Sequence, residues 1–196
     1  MTELEKCMAG EWYDCHSPEL IEAKAKASEW CRRYNATPYS RRSERRKMLD
    51  ELFGAVGTNV SVGDNFTCDF GRNIYIGSNV SVNLNCTFID CNRITIGNDV
   101  LIAPCVHLTT ASHPVELIER LNPKWNPDSI EYRWRTCAKP INIGNGCWIG
   151  ANVVVLPGVT IGEGTVIGAG SVVTKNIPAN VVAAGNPCRV IRRINQ

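Results

Sequence analysis

Histidine is the side chain best suited to acid–base chemistry near neutral pH, and this chain of 196 residues contains three of them. His16 lies just before a predicted helix start, where a solvated or capping role is expected. His107 stands between inward-facing Val106 and Leu108 and should point outward. His113 lies at the root of a long segment without repeats, where a loop and a fold edge can form a cleft. An imidazole there is suited to taking a proton from a hydroxyl nucleophile, although position alone leaves a plain surface role equally open.

Ten cysteines are present, and their spacing does not indicate a zinc site. The shortest separation, Cys86 to Cys91, is longer than a Cys-x-x-Cys pair. Neither a signal-peptide core nor an apolar run of ~18 residues occurs, so we expect a cytoplasmic protein with reduced cysteines and no membrane contact. Cys86 and Cys147 fall at inward positions, where a thiol acts as a small apolar filler. The sequence therefore predicts structural thiols and no metal.

Composition argues against a general polyanion-binding protein. The formal net charge is +2, apolar residues make up 44% of the chain, and mean hydropathy is -0.13, as in globular proteins. Basic residues cluster at positions 41–47 and 189–193. The first cluster has no interleaved aromatic side chains for base stacking, which favours a solvated helix face. No nucleic-acid partner is predicted.

Residues 140–178 carry a six-residue period that organises the chain. The first column of small or apolar residues comprises Ile141, Cys147, Val153, Val159, Thr165, Ser171 and Ile177. The second comprises Ile143, Ile149, Val155, Ile161, Ile167 and Val173. Behind the second column stand Gly144, Gly150, Gly162 and Gly168. A six-residue unit cannot bury a core alone, so successive units must stack into a parallel β-solenoid. The pattern resembles the hexapeptide-repeat family, which implies an all-β fold, a left-handed parallel β-helix of triangular section with three hexads per coil.

The remaining segments divide the chain further. Residues 1–54 are predicted to be helical: one helix begins at Ser17 and Pro18 and ends near Asn35, and a second, capped by Ser40, runs from Arg41 to Phe53. The solenoid is assigned to residues 55–183. Two-residue slips in the period are expected near positions 70–73 and 90–93.

The period stops at residues 109–139, which hold three prolines and two tryptophans. We interpret this segment as a loop extruded from one corner of the solenoid, because so long a non-repetitive stretch is usually functional. Residues 184–196 are interpreted as a C-terminal tail. Outward aliphatic residues such as Val154 and Val172 leave a flat flank that symmetric association would bury.

Several motifs together resemble the maltose and galactoside O-acetyltransferase family, which also includes nodulation acetyltransferases. They are Trp12-Tyr13-Asp14, Asn83-x-Asn85, Ser112-His113-Pro114, Trp148-Ile149-Gly150 and the run from Ala183 to Arg192. The resemblance spans nearly the whole chain. It implies acetyl-CoA as donor and co-substrate, a sugar hydroxyl as acceptor, and a homotrimer with three active sites between adjacent coils.

The same resemblance implies roles for individual residues. His113 matches a catalytic base that activates the acceptor hydroxyl for direct attack, without an acyl-enzyme, and Asn83 helps hold the reacting groups. The backbone N–H of Ala151 matches the donor to the oxyanion. Acceptor-binding positions are Asp14, Lys24, Asp69, Asn83 and Asp90. Coenzyme-binding positions are Asn83, Ala151, Ala169, Thr174, Lys175, Arg189 and Arg192. Small Ala169 can admit the pantetheine arm, and the basic residues can meet phosphates.

Some features depart from the family pattern and keep alternatives open. Lys24 stands where an arginine is usual, and the segment from Arg133 to Ala138 lengthens the loop beyond expectation. The sequence therefore matches the family pattern less well at the acceptor-binding positions than at the coenzyme-binding positions. Asp69 and Asp90 could simply cap turns near the slips, and Trp148 could meet either ligand or a neighbouring subunit.

The sequence favours or disfavours four other functions. Acetylation of a xenobiotic or antibiotic stays possible, although the N-terminal helices favour the sugar group. A γ carbonic anhydrase is disfavoured because it needs three imidazoles around zinc. A nucleotidyltransferase fusion is disfavoured because no βαβ phosphate-binding domain precedes the solenoid. A non-catalytic trimeric scaffold is compatible with the fold, and His113 with the coenzyme-binding residues argues against it.

Overall fold

The computed structural model describes residues 1–129 and 131–194. A helical segment precedes a long run of short strands, and a fourth helix lies within the long loop. The helices are α1 (Glu3–Ala9), α2 (Pro18–Ala36), α3 (Arg42–Leu52) and α4 (Leu117–Arg120). In chain order the strands are β1 (Ala55–Val56), β2 (Ser61–Val62), β3 (Thr67–Cys68), β4 (Ile74–Ile76), β5 (Ser81–Val82), β6 (Thr87–Ile89), β7 (Ile94–Ile96), β8 (Leu101–Ile102), β9 (His107–Thr109), β10 (Ala111–Ser112), β11 (Cys137–Ala138), β12 (Ile141–Ile143), β13 (Trp148–Ile149), β14 (Val154–Val155), β15 (Thr160–Ile161), β16 (Val166–Ile167), β17 (Val172–Val173), β18 (Val181–Ala184) and β19 (Arg189–Arg193).

The strands form three sheets that the chain visits in turn, which confirms the predicted parallel β-solenoid. Sheet 1 contains β1, β4, β7, β12 and β15, and sheet 3 contains β3, β6, β9, β14 and β17. Sheet 2 contains β2, β5, β8, β13, β16, β18 and β19. Among the named strands of residues 1–129 and 131–194, pairing within the coils is parallel, and the antiparallel pairs are β19 with β18 and β10 with β11. Each coil thus has three corners, named here by the sheets they join.

The predicted slips are real and lie at one corner. Tyr75 of β4 is opposite Thr95 of β7, a separation of 20 residues, whereas Asn142 of β12 is opposite Thr160 of β15, a separation of 18. The spacing from sheet 1 to sheet 2 and from sheet 2 to sheet 3 stays at six throughout these coils. The two extra residues per early coil therefore fall at the 3–1 corner, where the chain leaves sheet 3 for sheet 1.

Both predicted columns of the hexad repeat are buried, so the core runs along the axis of the solenoid. In the early coils the core also holds Phe66 and Phe88, whose rings meet edge to face at 5.2 Å. Asparagine supplies many of the tight turns: Asn65 and Asn85 both adopt φ near +60°, and the Asn65 amide donates to the Asn85 side-chain oxygen at 3.0 Å. Stacked turns of this kind hold successive coils in register.

The helical segment covers the open end of the first coil. Trp30 and Tyr34 of α2 are buried, with stacked rings 4.7 Å apart, and the Tyr34 hydroxyl donates to the Val62 carbonyl at 2.9 Å. Without this cover the aromatic and aliphatic residues of the first coil would face water. The N-terminal segment therefore stabilises the solenoid as well as contributing to the site.

Several predicted details of this segment were wrong. Helix α1 was not predicted, and α3 begins at Arg42 with Arg41 at the N-cap position, so Ser40 does not cap it. Helix α3 ends at Leu52, with Phe53 at the C-cap position, one residue before the predicted end. The basic run is not wholly solvated either, because Arg45 is buried. Its guanidinium contacts the Asp64 carboxylate at 2.9 Å.

The long loop leaves the 3–1 corner, as expected, but it is partly ordered by regular structure. Strands β10 and β11 pair at its root, with Ser112 opposite Cys137, and α4 follows. The C-terminal boundary also differs from the prediction, since residue 184 belongs to β18. Strand β19 folds back on β18 and extends sheet 2, so these residues form a hairpin.

All ten cysteines are free, and Cys86 and Cys147 are buried as predicted. Over residues 1–129 and 131–194, no three His, Cys, Asp or Glu side chains are grouped to hold a metal ion. No described helix is long and apolar enough to cross a membrane.

Candidate active site

His113 follows directly after β10, at the point where the loop leaves the ribbon. Its ring is exposed, and its Nδ1 lies 2.7 Å from the carbonyl oxygen of Arg135 on the returning strand of the loop. A carbonyl oxygen can only accept, so Nδ1 must carry the hydrogen. In the neutral ring this leaves the lone pair on Nε2, pointing away from the ribbon contact. The loop therefore fixes the tautomer that a general base requires.

The N-terminal segment ties the loop in place. Asp14 accepts hydrogen bonds from the backbone N–H groups of His16, at 3.0 Å, and Tyr132, at 3.3 Å. The N–H of Tyr13 donates to the Thr136 carbonyl at 3.1 Å, and the His16 and Tyr132 rings lie 4.1 Å apart. The His16 ring thus packs against the loop, which accounts for its position. Asp14, predicted to bind the acceptor, also connects the first segment of the chain to the loop beside His113.

Lys24 and Asp69, two predicted acceptor-binding residues, form an ion pair. The Lys24 Nζ lies 3.1 Å from Oδ2 of Asp69, and the Cys91 thiol donates to the same oxygen at 3.3 Å. Burial lowers the pKa of Lys24, but the Asp69 carboxylate, together with Cys91 and Cys15, outweighs that effect and the pKa is raised. Lys24 therefore stays an ammonium group, positioned from α2 against the 3–1 corner.

Asp90 is placed differently from the prediction. Its side chain is fully buried, and its carboxylate accepts backbone hydrogen bonds from Asp69 at 3.0 Å, Phe70 at 2.8 Å and Asn73 at 3.3 Å. Burial raises the pKa of Asp90 to about 6, against the lowering effect of these donors. Because no surface of this carboxylate is open to an acceptor, the structure assigns Asp90 to holding the widened turn of the preceding coil. Its assignment as an acceptor-binding residue is corrected accordingly.

A second group of predicted residues lies at the 2–3 corner. Asn83 follows β5, and its side-chain oxygen accepts the Leu84 N–H at 2.8 Å. Two coils on, Gly150 and Ala151 follow β13, and a Cβ on Gly150 would come within 2.6 Å of the Ala169 nitrogen. In the described part of the chain the Ala151 N–H donates to no acceptor, so it is free to bind a ligand oxygen. Successive coils thus stack closely at this corner, and Gly150, Ala151 and Ala169 are all small.

The predicted cationic residues are divided between corners. Arg189 and Arg192 lie on β19, opposite Ala184 and Val182 of β18, and are exposed beside the 2–3 corner and the outer face of sheet 2. Thr174 and Lys175 follow β17 and are exposed at the 3–1 corner, below the loop. The structure therefore does not bring all coenzyme-binding candidates together within one chain.

The site residues form two half-sites separated by sheet 3. The loop half-site at the 3–1 corner contains His113, Asp14, Lys24, Asp69, Thr174 and Lys175. The repeat half-site at the 2–3 corner contains Asn83, Ala151, Ala169, Arg189 and Arg192. Both belong to one chain, but they occupy different edges of its prism.

Sequence reasoning missed a groove beside Asn83. A cavity of about 440 Å³ lies on the outer face of sheet 2, and its wall includes Asn83, Ser61, Ser81, Leu101 and Tyr39. No motif marks these residues, because Ser61, Ser81 and Leu101 are brought side by side only by the stacking of three coils. Further along the same face Trp148 is 51% exposed next to Leu101, so its outward orientation is confirmed.

The fold and the repeat define a hexapeptide-repeat transferase. The family described as "Bacterial transferase hexapeptide (six repeats)" matches residues 140–175, the most regular part of the solenoid. The family described as "Maltose acetyltransferase hexapeptide capping motif" matches residues 6–57, which form most of the helical cap.

Similar proteins extend this match to the full length. The galactoside O-acetyltransferase of Escherichia coli K12 is 42% identical over 195 residues, covering 100% of this chain and 91% of its own. A crystal structure of a maltose O-acetyltransferase from Clostridium difficile 630 has a TM-score of 0.91 at 39% identity, over 100% of this chain and 99% of that chain. A galactoside acetyltransferase in complex with coenzyme A has a TM-score of 0.90 at 42% identity, over 100% and 92%. This chain belongs to the maltose and galactoside O-acetyltransferase family and is an acetyltransferase.

Proposed function

We propose that this protein transfers an acetyl group from acetyl-CoA to a hydroxyl of a small, sugar-like acceptor. The observation that carries the proposal is the contact between His113 Nδ1 and the Arg135 carbonyl, because it leaves Nε2 as the free base. The relative solved with coenzyme A supports the donor, and the names of the maltose and galactoside enzymes support a sugar acceptor.

The residues suggest a direct transfer. His113 Nε2 takes the proton from the acceptor hydroxyl as the hydroxyl oxygen bonds to the acetyl carbonyl carbon. The unpaired N–H of Ala151 donates to the oxyanion that forms, as a preorganised backbone donor does in other acyl transfers. When the carbon–sulfur bond breaks, His113 returns the proton to the leaving thiolate. Asn83 holds the reacting groups, and no acyl-enzyme is formed.

The remaining candidates supply binding. In the loop half-site, Asp14, Lys24 and Asp69 offer carboxylates and an ammonium group to acceptor hydroxyls. In the repeat half-site, Ala169 leaves room for the pantetheine arm, and Arg189 and Arg192 meet coenzyme phosphates. Thr174 and Lys175 complete the coenzyme site from the other corner.

A complete site requires two copies of the chain. His113 lies at the 3–1 corner, whereas Asn83 and Ala151 lie at the 2–3 corner of the same prism, with sheet 3 between them. A homotrimer with cyclic symmetry would place the loop half-site of one protomer against the repeat half-site of the next. We therefore propose three interfacial sites per trimer. Equilibrium sedimentation that finds only monomers at micromolar concentration would contradict this arrangement.

The test is thiol release from acetyl-CoA with a panel of sugars and other hydroxylated small molecules, against a blank without acceptor. We expect acceptor-dependent release and a loss of about 10²- to 10⁴-fold in kcat for His113→Gln. Glu22→Gln is the control, because Glu22 is exposed on α2, pairs with Lys26 at 2.7 Å and belongs to neither half-site. Both variants should keep the wild-type oligomeric state and affinity for coenzyme A.

Two results would contradict the proposal in different ways. An unchanged rate for His113→Gln removes this residue from the mechanism. Coenzyme binding without turnover of any acceptor supports a non-catalytic scaffold, and absence of coenzyme binding in calorimetry rejects the donor.

A further inference from the structure

A continuous groove leads from Asn83 to helix α3 across the outer face of sheet 2. The cavity of about 440 Å³ beside Asn83 shares Tyr39 and Ser61 with a second cavity of about 560 Å³ that lies under α3. Both volumes are in the range of small-molecule sites. An acceptor whose reacting hydroxyl lies at Asn83 therefore has a path for its remaining atoms toward α3.

The far end of this groove is strongly basic. The cavity under α3 is lined by Arg42, Arg45, Arg46 and Lys47 and by no acidic side chain. Two of these charges are already neutralised: Arg45 contacts Asp64 at 2.9 Å, and Arg46 contacts Asp50 at 2.7 Å. In the part of the chain that the structure describes, Arg42 and Lys47 form no ion pair. Two uncompensated cations thus face a cavity that is walled on one side by protein.

Tyr39 lies at the junction of the two cavities. Its ring is 51% exposed, and the Arg42 guanidinium carbon lies 5.7 Å from the ring centroid. An exposed aromatic face of this kind packs against the apolar face of a sugar ring, and the guanidinium beside it presents paired donors to an oxyanion. Ser61 and Ser81 lie side by side on neighbouring strands and add hydroxyl groups along the floor, where the Ser61 hydroxyl donates to the Ser81 hydroxyl oxygen at 3.4 Å.

We propose that the acceptor is an anionic sugar, whose phosphate or carboxylate is bound by Arg42 and Lys47 while a hydroxyl on another part of the molecule reacts near Asn83. This inference rests on the proposed function of Asn83 in the acceptor site. The first coil lies one strand spacing from the coil of Asn83, and α3 lies beyond the first coil, so the anion lies roughly 10 Å from the reacting hydroxyl. A disaccharide with a terminal phosphate or uronate has this length.

The first test compares acceptors in matched pairs. Each pair contains a neutral disaccharide and its analogue with a phosphate monoester or a carboxylate on the ring remote from the reacting one. For the wild-type enzyme we expect kcat/KM to be at least about tenfold higher with the anionic member, and the preference to shrink as sodium chloride rises. The phosphate and carboxylate arms show which oxyanion is preferred.

Variants of the basic residues show which side chains cause the preference for anionic acceptors. The double variant Arg42→Ala/Lys47→Ala should bring the ratio of anionic to neutral kcat/KM close to one. Arg41→Ala is the matched control: Arg41 is paired with Glu44 and does not line the cavity, so the ratio should stay at the wild-type value. Equal kcat/KM for the two members of every pair in the wild-type enzyme would overturn the proposal.

A second measurement does not depend on turnover. Inorganic phosphate is titrated into the protein by calorimetry with coenzyme A saturating, so that the donor's phosphate contacts are occupied. We expect phosphate binding by the wild type and by Arg41→Ala, and its loss in Arg42→Ala/Lys47→Ala. If no acceptor reacts, the transferase proposal fails, but this titration still decides the anion site: binding that the double variant leaves unchanged, or no binding at all, rejects it.

Discussion

Two edges of the solenoid, the 3–1 corner and the 2–3 corner, are built from the same repeat and have diverged in opposite ways. The 3–1 corner carries the two-residue additions, the long loop and the contacts of the N-terminal segment. The 2–3 corner keeps the six-residue spacing through the paired coils and is lined by small residues such as Ala151 and Ala169. Additions to a solenoid corner leave the stacked core intact, so they can vary in length without destabilising the fold.

This difference separates two kinds of functional residue. Residues of the repeat half-site take their positions from the register of the coils, which gives the proposed coenzyme surface a regular shape. Residues of the loop half-site take theirs from individual contacts, such as Asp14 with Tyr132 and His113 with Arg135. If the half-sites bind acceptor and coenzyme as proposed, altering the loop changes acceptor recognition and leaves the coenzyme surface unchanged.

Complementation between subunits gives the largest expected effect. His113→Gln and Asn83→Ala should each be nearly inactive, because each removes one half of every site. If the two proteins are co-expressed with different tags and purified through both, every mixed trimer contains one site that combines a wild-type His113 with a wild-type Asn83. About a third of wild-type activity should then return.

The control for complementation is the double variant His113→Gln/Asn83→Ala, co-expressed with wild type and purified through both tags. If sites are shared, a trimer with two wild-type protomers has one intact site of three and a trimer with one has none. If each chain builds its own site, these trimers have two and one. If each chain builds its own site, the mixed trimers of single variants should show no recovery, and the shared-site arrangement would be wrong.

The pH dependence of the free energy of unfolding tests the structural role of Asp90 at the 3–1 corner. An unfolded aspartate titrates near 3.9, and burial raises the pKa of Asp90 to about 6, so the folded protein holds this proton more tightly. The stability that this group contributes is present below about pH 4 and lost as the pH rises through 6. Wild type should lose roughly 2–3 kcal/mol relative to Asp90→Asn across that window.

Urea unfolding at intervals between pH 4 and 8 measures this difference. Asp99→Asn is a suitable control, because Asp99 is exposed at a turn and accepts from the Asn79 amide. Parallel pH profiles for wild type and Asp90→Asn would show that Asp90 is not the buried proton-binding group that the structure describes.

Much of the fold could be predicted from the sequence because the solenoid is periodic. The two columns from Ile141 to Ile177 identify the inward positions directly, and the interruptions of the period near residues 70–73 and 90–93 locate the wide turns. Helix α2 was predicted from Pro18 and a three-and-four apolar spacing. Helix α1 was not, because it has seven residues and one buried side chain, Cys7, and so shows no recognisable stripe.

The site could be predicted less completely, for two physical reasons. Motif resemblance suggested His113 and Ala151 as site residues. Only the structure shows that His113 Nδ1 contacts a carbonyl oxygen and that the Ala151 N–H has no acceptor within the described residues. Asp90 was assigned to the acceptor because its sequence neighbours do not reveal that three backbone donors bury it. The groove beside Asn83 left no sequence signal, since it forms from residues one coil apart.

The smallest expected effect comes from substituting Gly150, where successive coils stack closely at the 2–3 corner. A Cβ on Gly150 would lie 2.6 Å from the Ala169 nitrogen and 2.7 Å from the Ile167 carbonyl oxygen, both backbone atoms that cannot move aside cheaply. Gly150→Ala should therefore lower the free energy of unfolding by about 1–3 kcal/mol and, by displacing Ala169, weaken coenzyme A binding. Gly158→Ala at the 3–1 corner is the comparison: its positive φ of 83° costs about 1 kcal/mol, but the nearest atoms belong to the flexible Lys139 side chain. Thermal unfolding and coenzyme calorimetry on both variants separate the effects, and equal coenzyme affinities would show that Ala169 does not set the width of the coenzyme surface.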